Sequence, residues 1–376
     1  YDPNLLVFLC ILAIIGTVML YSASWYESFS SSNGRTDMLF LQNHLKRLLV
    51  GVFFLFGFLT IDYRKLKEIA PYLIALSIIL LIVTKLYYLG KGYSWYKPAR
   101  WLYVGFFSIQ TSDIARFSVI LYMAYYADKK RDKLKDFQLG LLPALGILSL
   151  IMTLIIIQPD YSTALMIGAI GVLILFIGGS SLSQLSAAGA CAMLVGIPVL
   201  LSREYRKQRF LSWLGIGDNT EIGYQANQSL ISLGNGGVFG VGLGNSIEKN
   251  HFLPTPHTDF IFAIIGEELG FVIGTVPVLT LFLLIFIRGL KIAKNCTDPF
   301  GIFLSIGIAF NLVLYAFVNA AVVTGIFPVT GLPMPMVSYG GSGMVVNMAM
   351  MGILLNISQS RRSVGNKKGW SPVIRG

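Results

Sequence analysis

The sequence predicts an all-α polytopic membrane protein with about ten transmembrane helices and one large loop between helices 7 and 8. Of its 376 residues, 55% are apolar and 12% are charged, and the mean hydropathy is +0.70. A soluble domain carries about 25% charged residues. Apolar runs long enough to cross a bilayer recur from end to end. Because backbone polar groups in lipid must be paired internally, and no alternating strands of the barrel type are visible, we expect these runs to be helices.

Ten apolar segments are interpreted as membrane spans. They cover residues 5–22, 48–61, 69–87, 114–126, 141–157, 164–177, 185–201, 260–287, 300–327 and 343–357. The large loop covers residues 202–258, and a polar tail follows at 358–376. The whole chain, 1–376, is interpreted as a single membrane domain.

The net charge of +11 is attributed to loops on one side of the predicted spans, and no nucleic acid partner is expected. These loops contain basic clusters at residues 64–67, 129–135, 288–294 and 361–375. Short basic loops face the cytoplasm. We therefore expect both termini inside, and the 202–258 loop outside. The basic residues on the outer side fit either an anionic substrate or lipid phosphate.

The stretch FLPTPHTDFIFAIIGEELG, residues 252–270, places carboxylates where they are costly. Asp259 ends a proline-rich loop after His257 and Thr258, and Glu267 and Glu268 follow inside an apolar helix. An ionisable group in hydrocarbon costs several kcal/mol unless it is paired or hydrated, so such residues are functional candidates. The alternative for Asp259 is a helix N-cap. We expect the two glutamates to pair with a basic or polar group, or with freed backbone.

Two further polar clusters lie on the same predicted side of the membrane. Asp113 and Arg116 are spaced three apart on a helix, so they can neutralise each other. They form either a structural ion pair or a fixed cation beside a diphosphate. Between two spans, Gln158-Pro159-Asp160 breaks the helix, and it lines a cavity or forms a tight hairpin.

A third cluster lies in the large loop, and a fourth follows the ninth span. A short amphipathic helix is predicted to open at residues 223–229, with glycines dense up to Gly244. No Gly-Lys-Ser/Thr follows, so this is not a nucleotide loop, and a re-entrant, close-packed segment is expected. Residues 328–342 form a groove wall or a structural turn. With only three histidines, and three cysteines far apart, no dedicated metal site is predicted.

Five stretches together identify a resemblance to a known family. They are ARWLYVGFFSIQTSD, QPDYSTA, GYQANQSLISLGNGGVFGVGLGNS, FLPTPHTDFIFAIIGEELG and GLPMPMVSYGGSG. The chain resembles, from about residue 5 to 357, the SEDS family (shape, elongation, division and sporulation) of peptidoglycan polymerases. GLGNS and IIGEELG resemble the division branch more than the elongation branch. Asp113 and Arg116 depart from the family pattern, which has glutamate and lysine there.

The resemblance implies an inverting glycosyltransferase that polymerises lipid II, a disaccharide-pentapeptide on undecaprenyl pyrophosphate. It implies that Asp259 is the general base, or orients the acceptor. A clamp of Arg100, Arg116, Arg203 and Lys249 is expected to hold the pyrophosphate, and a divalent cation (Mg²⁺ or Mn²⁺) could share that task. The candidate substrate-binding residues are Arg100, Trp101, Ser112, Asp113, Arg116, Gln158, Asp160, Arg203, Gln225, Gln228, Lys249, His257, Thr258, Ser338, Gly340 and Gly341.

The resemblance also implies a location and partners. The protein is expected in the bacterial cytoplasmic membrane, with its active site outside and residues 358–376 as a cytoplasmic tail. The expected partners are lipid II and the nascent glycan strand, a class B penicillin-binding protein transpeptidase, and other divisome or elongasome membrane proteins. A lipid II flippase or transporter is the alternative function, and a scaffold for division proteins is a third.

Overall fold

The structure is a computed structural model that describes residues 1–93, 99–104, 107–216, 221–250 and 252–360, and in these ranges it is a helical bundle. Five helices precede the 158–160 break: α1 (Pro3–Ser31), α2 (Leu39–Thr60), α3 (Tyr63–Gly90), α4 (Thr111–Lys129) and α5 (Leu142–Ile157). The later helices are α6 (Tyr161–Ile177), α7 (Leu182–Leu201), α8 (Glu204–Trp213), α9 (Glu221–Gly236), α10 (Ile261–Gly270), α11 (Val276–Asn295), α12 (Pro299–Val323) and α13 (Ser342–Ile357).

Seven helical segments of the described chain are long and apolar enough to cross a membrane. They are Pro3–Ser31, Leu39–Thr60, Tyr63–Gly90, Phe137–Ile157, Leu182–Leu201, Ile261–Asn295 and Pro299–Val323, and Tyr161–Ile177 and Ser342–Ile357 are shorter apolar helices. Each of the ten predicted spans overlaps a helix. The polytopic helical fold is thereby confirmed, and the count of ten spans stays a prediction.

A two-stranded hairpin is the element that the all-α prediction lacks. Strand β1 (Trp101–Val104) pairs antiparallel with β2 (Phe107–Gln110), with Trp101 opposite Gln110. The N–H of Thr111 donates to the carbonyl of Arg100 at 3.2 Å, so the hairpin leads directly into α4. Strands of four residues are too short to give a clear alternating pattern, which explains why the sequence did not predict them.

The glycine-rich segment after α9 fills a break in the helix that carries Glu267 and Glu268. Helix α10 ends at Gly270, where φ is 76°, and a π-helical turn (Phe271–Thr275) leads into α11. The N–H groups of Val241 and Gly242 donate to the carbonyls of Glu267 and Glu268 at 2.9 and 3.0 Å. The segment thus satisfies backbone groups that the broken helix leaves free, as membrane proteins require.

Helices α9 and α10 pack backbone to backbone. A Cβ added at Gly236 would lie 2.0 Å from the carbonyl oxygen of Gly266, a distance that no side chain can adopt. Only glycine at position 236 therefore allows this approach. The glycine-dense segment is thus close-packed, as the sequence analysis expects, and its partner is α10, where Gly270 lies against Gly240.

Candidate functional site

A cavity of about 260 Å³ lies between the hairpin, four helix starts and the loop before α13. It is lined by residues from five separate parts of the chain, at 100–116, 160–163, 258–259, 315 and 331–347. Ten of the residues predicted from the sequence line it: Arg100, Trp101, Asp113, Arg116, Asp160, Thr258, Asp259, Ser338, Gly340 and Gly341.

Four helices begin at the cavity, and each of these starts contributes residues to its lining. Helix α4 begins at Thr111, α6 at Tyr161, α10 at Ile261 and α13 at Ser342. The N-terminus of a helix carries a partial positive charge and free N–H groups, so it favours an anion. Four convergent N-termini make the cavity a favourable environment for a negatively charged group.

Asp259 lies in the turn just before α10 and does not cap the helix. The N-cap of α10 is Phe260, with no capping bond from a side chain, so the N-cap alternative is wrong. The nearest atom to a Cβ built on Gly331 is Oδ2 of Asp259, at 3.4 Å. Burial raises the pKa of the Asp259 carboxyl above its ordinary value of 3.8, and the charges of Arg209, Arg100 and His257 oppose that rise.

Several polar side chains contact the carboxylate of Asp160, which directly precedes α6. Nη1 of Arg100 lies 3.8 Å from Oδ1 of Asp160. Nε2 of Gln110 and Oγ of Ser112 donate to Oδ2 of Asp160 at 3.3 and 3.5 Å. Arg100 also donates to the carbonyl of Pro159. The broken helix at 158–160 therefore holds the Arg100 guanidinium at the cavity wall, as the cavity alternative for this cluster predicts.

The i,i+3 pair that the sequence predicts in α4 is present. Nη2 of Arg116 donates to Oδ1 of Asp113 at 3.1 Å and to Oδ1 of Asn347 at 3.4 Å. The guanidinium lies 4.6 Å from the ring centre of Tyr315, a cation–π contact. Oγ of Ser342, at the start of α13, donates to Oδ2 of Asp113 at 2.8 Å. Arg116 is thus a buried cation fixed in one orientation by three helices.

The loop before α13 forms another wall of the cavity, next to the hairpin. Oγ of Ser338 accepts from the N–H of Met334 at 2.8 Å, which closes a tight turn. The carbonyl of Gly340 accepts from Nη1 of Arg47 in α2 at 3.3 Å. The ring of Trp101 packs against Gly341. The predicted groove-wall role of this segment agrees with these contacts.

Other predicted residues lie near the cavity without lining it. Nδ1 of His257 is 3.1 Å from Oε2 of Glu27, and its ring lies between Phe40 and Tyr339 at 4.5 and 5.6 Å. Nε2 of Gln158 donates to the carbonyl of Leu81 at 2.9 Å and is fully buried. These two side chains hold the walls in place.

The predicted residues of the large loop are placed on α8 and α9. Gln225 and Gln228 lie on α9, half-buried, and Nε2 of Gln228 donates to the hydroxyl of Tyr224 at 3.0 Å. Arg203 is the exposed residue that precedes α8. None of these three lines the cavity.

Lys249 does not reach the cavity, which corrects the predicted clamp. Its Nζ lies 2.7 Å from Oε1 of Glu268 and donates to the carbonyl of Gly244 at 2.8 Å, and its side chain is 1% exposed. Oγ of Ser22 in α1 also lies within 2.7 Å of both Glu268 oxygens. The buried carboxylate at 268 needs a cation, so Lys249 is used there and not for a pyrophosphate.

The Glu267 carboxylate accepts hydrogen bonds from hydroxyl and backbone N–H donors and pairs with no cation among the described residues. Oγ of Ser246 and Oγ of Ser232 donate to its Oε2 at 2.6 and 2.9 Å, and the N–H of Ile247 donates to Oε1 at 3.0 Å. These three hydrogen bonds fix the orientation of the Glu267 carboxylate. The two glutamates thus have the polar partners that the sequence analysis expects, on the loop and on two other helices.

In the part of the chain that the structure describes, no group of three or more His, Cys, Asp or Glu side chains could hold a metal ion. The carboxylates of Asp113 and Asp160 are each engaged with an arginine. The divalent cation stays a prediction.

Sequence reasoning missed several polar residues that build the site. They are isolated amides, hydroxyls or rings within apolar helices or beside a turn, and a single such residue carries no local signal of its partner. The missed residues are Tyr315, Asn319 and Asn347.

The fold and site define a polytopic membrane protein with a charged cavity at helix N-termini, and comparison with known proteins agrees. Residues 3–363 match the model of the cell cycle protein family named for FtsW, RodA and SpoVE. The chain belongs to that family. It is 37% identical over 366 residues to a probable peptidoglycan glycosyltransferase FtsW of Geobacter sulfurreducens, covering 95% of each chain. It is 34% identical to the stage V sporulation protein E of Bacillus subtilis, covering 96% of this chain and 98% of that one.

Solved structures share the fold. The crystal structure of the rod shape determining protein RodA of Thermus thermophilus superposes with a TM-score of 0.68 at 23% identity, covering 96% of this chain and 98% of that one. A chain of a peptidoglycan synthase complex that coordinates polymerization and crosslinking gives a TM-score of 0.75 at 22% identity, over the same shares of the two chains.

Proposed function

We propose that this protein is a peptidoglycan glycosyltransferase that polymerises lipid II at the outer face of the cytoplasmic membrane, with Asp259 as the general base. The proposal includes the division role of the FtsW branch, because the relative from Geobacter sulfurreducens bears that name and is 37% identical. Both termini and the tail 358–376 are then cytoplasmic.

The observation that carries the proposal is the surroundings of Asp259. Its carboxylate shares one cavity with the guanidinium groups of Arg100 and Arg116, at the start of four helices. Fixed positive charge and helix N-termini suit a pyrophosphate that gains charge as it leaves. Arg116 is held rigidly by Asp113 and Tyr315, so it need not reorganise during the reaction.

In the proposed step, Asp259 accepts the proton of the 4-hydroxyl of the incoming N-acetylglucosamine. The freed oxygen forms a bond to the anomeric carbon of the growing strand, and the bond from that carbon to the pyrophosphate breaks with its electron pair. The anomeric centre inverts from α to β. Arg100 and Arg116 hold the leaving anion, and Asp259 then releases its proton to water. The raised pKa of Asp259 makes its carboxylate a stronger base than an ordinary aspartate.

The partner in this proposal is a single-span class B penicillin-binding protein. The support is the peptidoglycan synthase complex, whose chain shares this fold, and the chemistry of the proposed site, which transfers sugars and has no role in peptide crosslinking. Other divisome or elongasome membrane proteins remain expectations of the sequence analysis.

The test is glycan-strand synthesis from purified lipid II, with and without a partner transpeptidase. Wild type is compared with Asp259→Asn and with Asp128→Asn, a matched control whose carboxylate pairs with Lys67 on the surface. We expect Asp259→Asn to abolish polymer while lipid II binding and folding are retained, and Asp128→Asn to polymerise normally.

Polymer from Asp259→Asn at the wild-type rate would refute the base assignment. A wild type that makes no polymer with its partner, yet moves lipid II across vesicle membranes, would favour the transporter alternative. The break in the helix at Gly270 is a feature that transporters share.

A further inference from the structure

The side chain of Asn319 in α12 bridges two loops that line the cavity, the loop that contains Asp259 and the loop that contains Leu332. Its Nδ2 donates to the carbonyl of Asp259 at 2.7 Å and to the carbonyl of Leu332 at 2.8 Å. Asn319 is 1% exposed and lies on the most enclosed of the long helices, where 67% of the spanning window is buried. One amide on a buried helix thus fixes the backbone at Asp259 and at Leu332, the residue after Gly331.

The orientation of this amide is determined by its partners. Both carbonyls need a donor, and a flipped amide would place its oxygen against two other oxygens. In the observed orientation Oδ1 has no hydrogen-bond partner among the described residues although it is buried. An unsatisfied buried acceptor costs about 1–3 kcal/mol, so this arrangement gives up stability to supply two donors at one point. A neutral amide is the side-chain group that can donate twice from one nitrogen at this length without bringing a charge.

We propose that Asn319 is a positioning residue, which fixes the direction of the Asp259 carboxylate by holding its own backbone and the facing loop at Leu332. This inference rests on the proposed function. Asn319 does not line the cavity, so it acts through Asp259 and touches no substrate. With the anchor in place, Asp259 is directed at the backbone of Gly331. A base must lie within hydrogen-bond reach of the proton it takes, and a displacement of about 1 Å is enough to lose on the order of 100-fold in rate.

The same helix offers a matched control. Asn311 is fully buried in α12, two turns before Asn319, and neither Nδ2 nor Oδ1 has a hydrogen-bond partner among the described residues. Leucine has the same number of side-chain heavy atoms as asparagine and branches at the same carbon, so the two substitutions are matched in shape. Asn311→Leu removes a buried amide that has no hydrogen-bond partner among the described residues. Asn319→Leu removes the same group together with its two bonds to the carbonyls of Asp259 and Leu332.

The test uses the full chain with its partner transpeptidase and measures lipid II polymerisation. We expect Asn319→Leu to lower kcat by ~10- to 100-fold with KM within about two-fold of wild type, since substrate contacts are unchanged. Asn311→Leu should keep wild-type kcat. Asn319→Ser, whose hydroxyl can donate once, should fall between wild type and Asn319→Leu, and it replaces the leucine variant if that one does not fold.

Two readouts separate positioning from general destabilisation. A released Asp259 loop becomes more hydrated, so the acid limb of the pH–rate profile should move to lower pH in Asn319→Leu and stay in Asn311→Leu. The charged groups that act on Asp259 are Arg209 on α8, Arg100 before β1 and His257 in its own loop, and both leucine variants leave all three in place. Amide hydrogen exchange of residues 252–260 and 329–332 should rise in Asn319→Leu alone.

Wild-type kcat in Asn319→Leu, or equal effects of the two leucine variants on kcat and exchange, would overturn the inference. Hydrogen exchange can be measured on an inactive protein, so it tests whether Asn319 holds the two loops even if the proposed function is wrong. Failure of the function would appear separately, as polymer synthesis that survives Asp259→Asn.

Discussion

Replacing Lys249 with methionine removes the cation that lies 2.7 Å from Glu268, in a place where both side chains are at most 1% exposed. Within the described ranges, the carboxylate then keeps only the Ser22 hydroxyl as a side-chain donor. Leaving one charge of a buried pair without its partner costs about 3–5 kcal/mol. We therefore expect Lys249→Met to lower the free energy of unfolding by that amount.

The surface pair Lys67–Asp128 provides the comparison. Its separation is 2.5 Å, but Lys67 is 41% exposed, and an exposed pair contributes about 0.2–1 kcal/mol. Lys67→Met should therefore be at least ~2 kcal/mol less destabilising than Lys249→Met, or on the order of 30-fold in the unfolding equilibrium constant.

The assay is reversible unfolding by sodium dodecyl sulfate titration in mixed micelles, with wild type and the two single variants side by side. The double variant Lys249→Met/Glu268→Leu removes both charges, so it should recover most of the stability that Lys249→Met loses. If Lys249→Met is no less stable than Lys67→Met, or if the double variant is as unstable as the single one, the account of Glu268 as a charge dependent on Lys249 is refuted.

Three more predictions concern the cavity. Because burial raises the pKa of Asp259, its folded form binds a proton more readily than its unfolded form. The polymerisation rate should therefore fall as the pH drops through that raised pKa. Asp259→Asn should be more stable than wild type at neutral pH, where the buried carboxylate is charged, but not at a pH below 3.8. Equal stability of the two proteins at neutral pH would contradict this. Gly331 has a φ of 72°, so Gly331→Ala should lower the free energy of unfolding by about 1–2 kcal/mol through backbone strain. It should also lower kcat, because the alanine methyl would contact the Asp259 carboxylate. An unchanged melting temperature would contradict the strain. Arg116→Lys keeps the charge but loses the planar contact with Tyr315 and the two hydrogen bonds from Nη2. We therefore expect kcat/KM to fall by ~10-fold. Full activity in Arg116→Lys together with none in Arg116→Gln would instead mean that the charge alone matters.

The sequence predicts those parts of the site whose signal is local. Asp113 and Arg116 are three residues apart on a helix, so their contact follows from helical geometry. Asp259 stands at the junction of a proline-rich loop and an apolar run, where a carboxylate is conspicuous. The starts of the four helices at the cavity were predicted to within about three residues of their positions.

The parts that could not be predicted depend on contacts between distant residues. Lys249 was assigned to the pyrophosphate because it is close to Asp259 in sequence, yet the structure pairs it with Glu268. Choosing between these partners requires the turn geometry of the glycine-rich segment, which periodicity does not encode. Asn319 was not singled out because its sequence context, one amide in a long apolar helix, is the same as that of Asn311, which has no hydrogen-bond partner in the part of the chain that the structure describes.

The cavity is lined by residues from five parts of the chain, at 100–116, 160–163, 258–259, 315 and 331–347, and the last of its helix starts is at Ser342. During synthesis, the ribosome must therefore release the chain as far as α13 into the membrane before the last wall exists. A nascent chain that stops before α13 has Asp259 but lacks the partners that Ser342 and Asn347 supply to Asp113 and Arg116. The site is consequently completed only when α13 has been made, so a shorter nascent chain meets an activated lipid with Asp113 and Arg116 not yet held by α13.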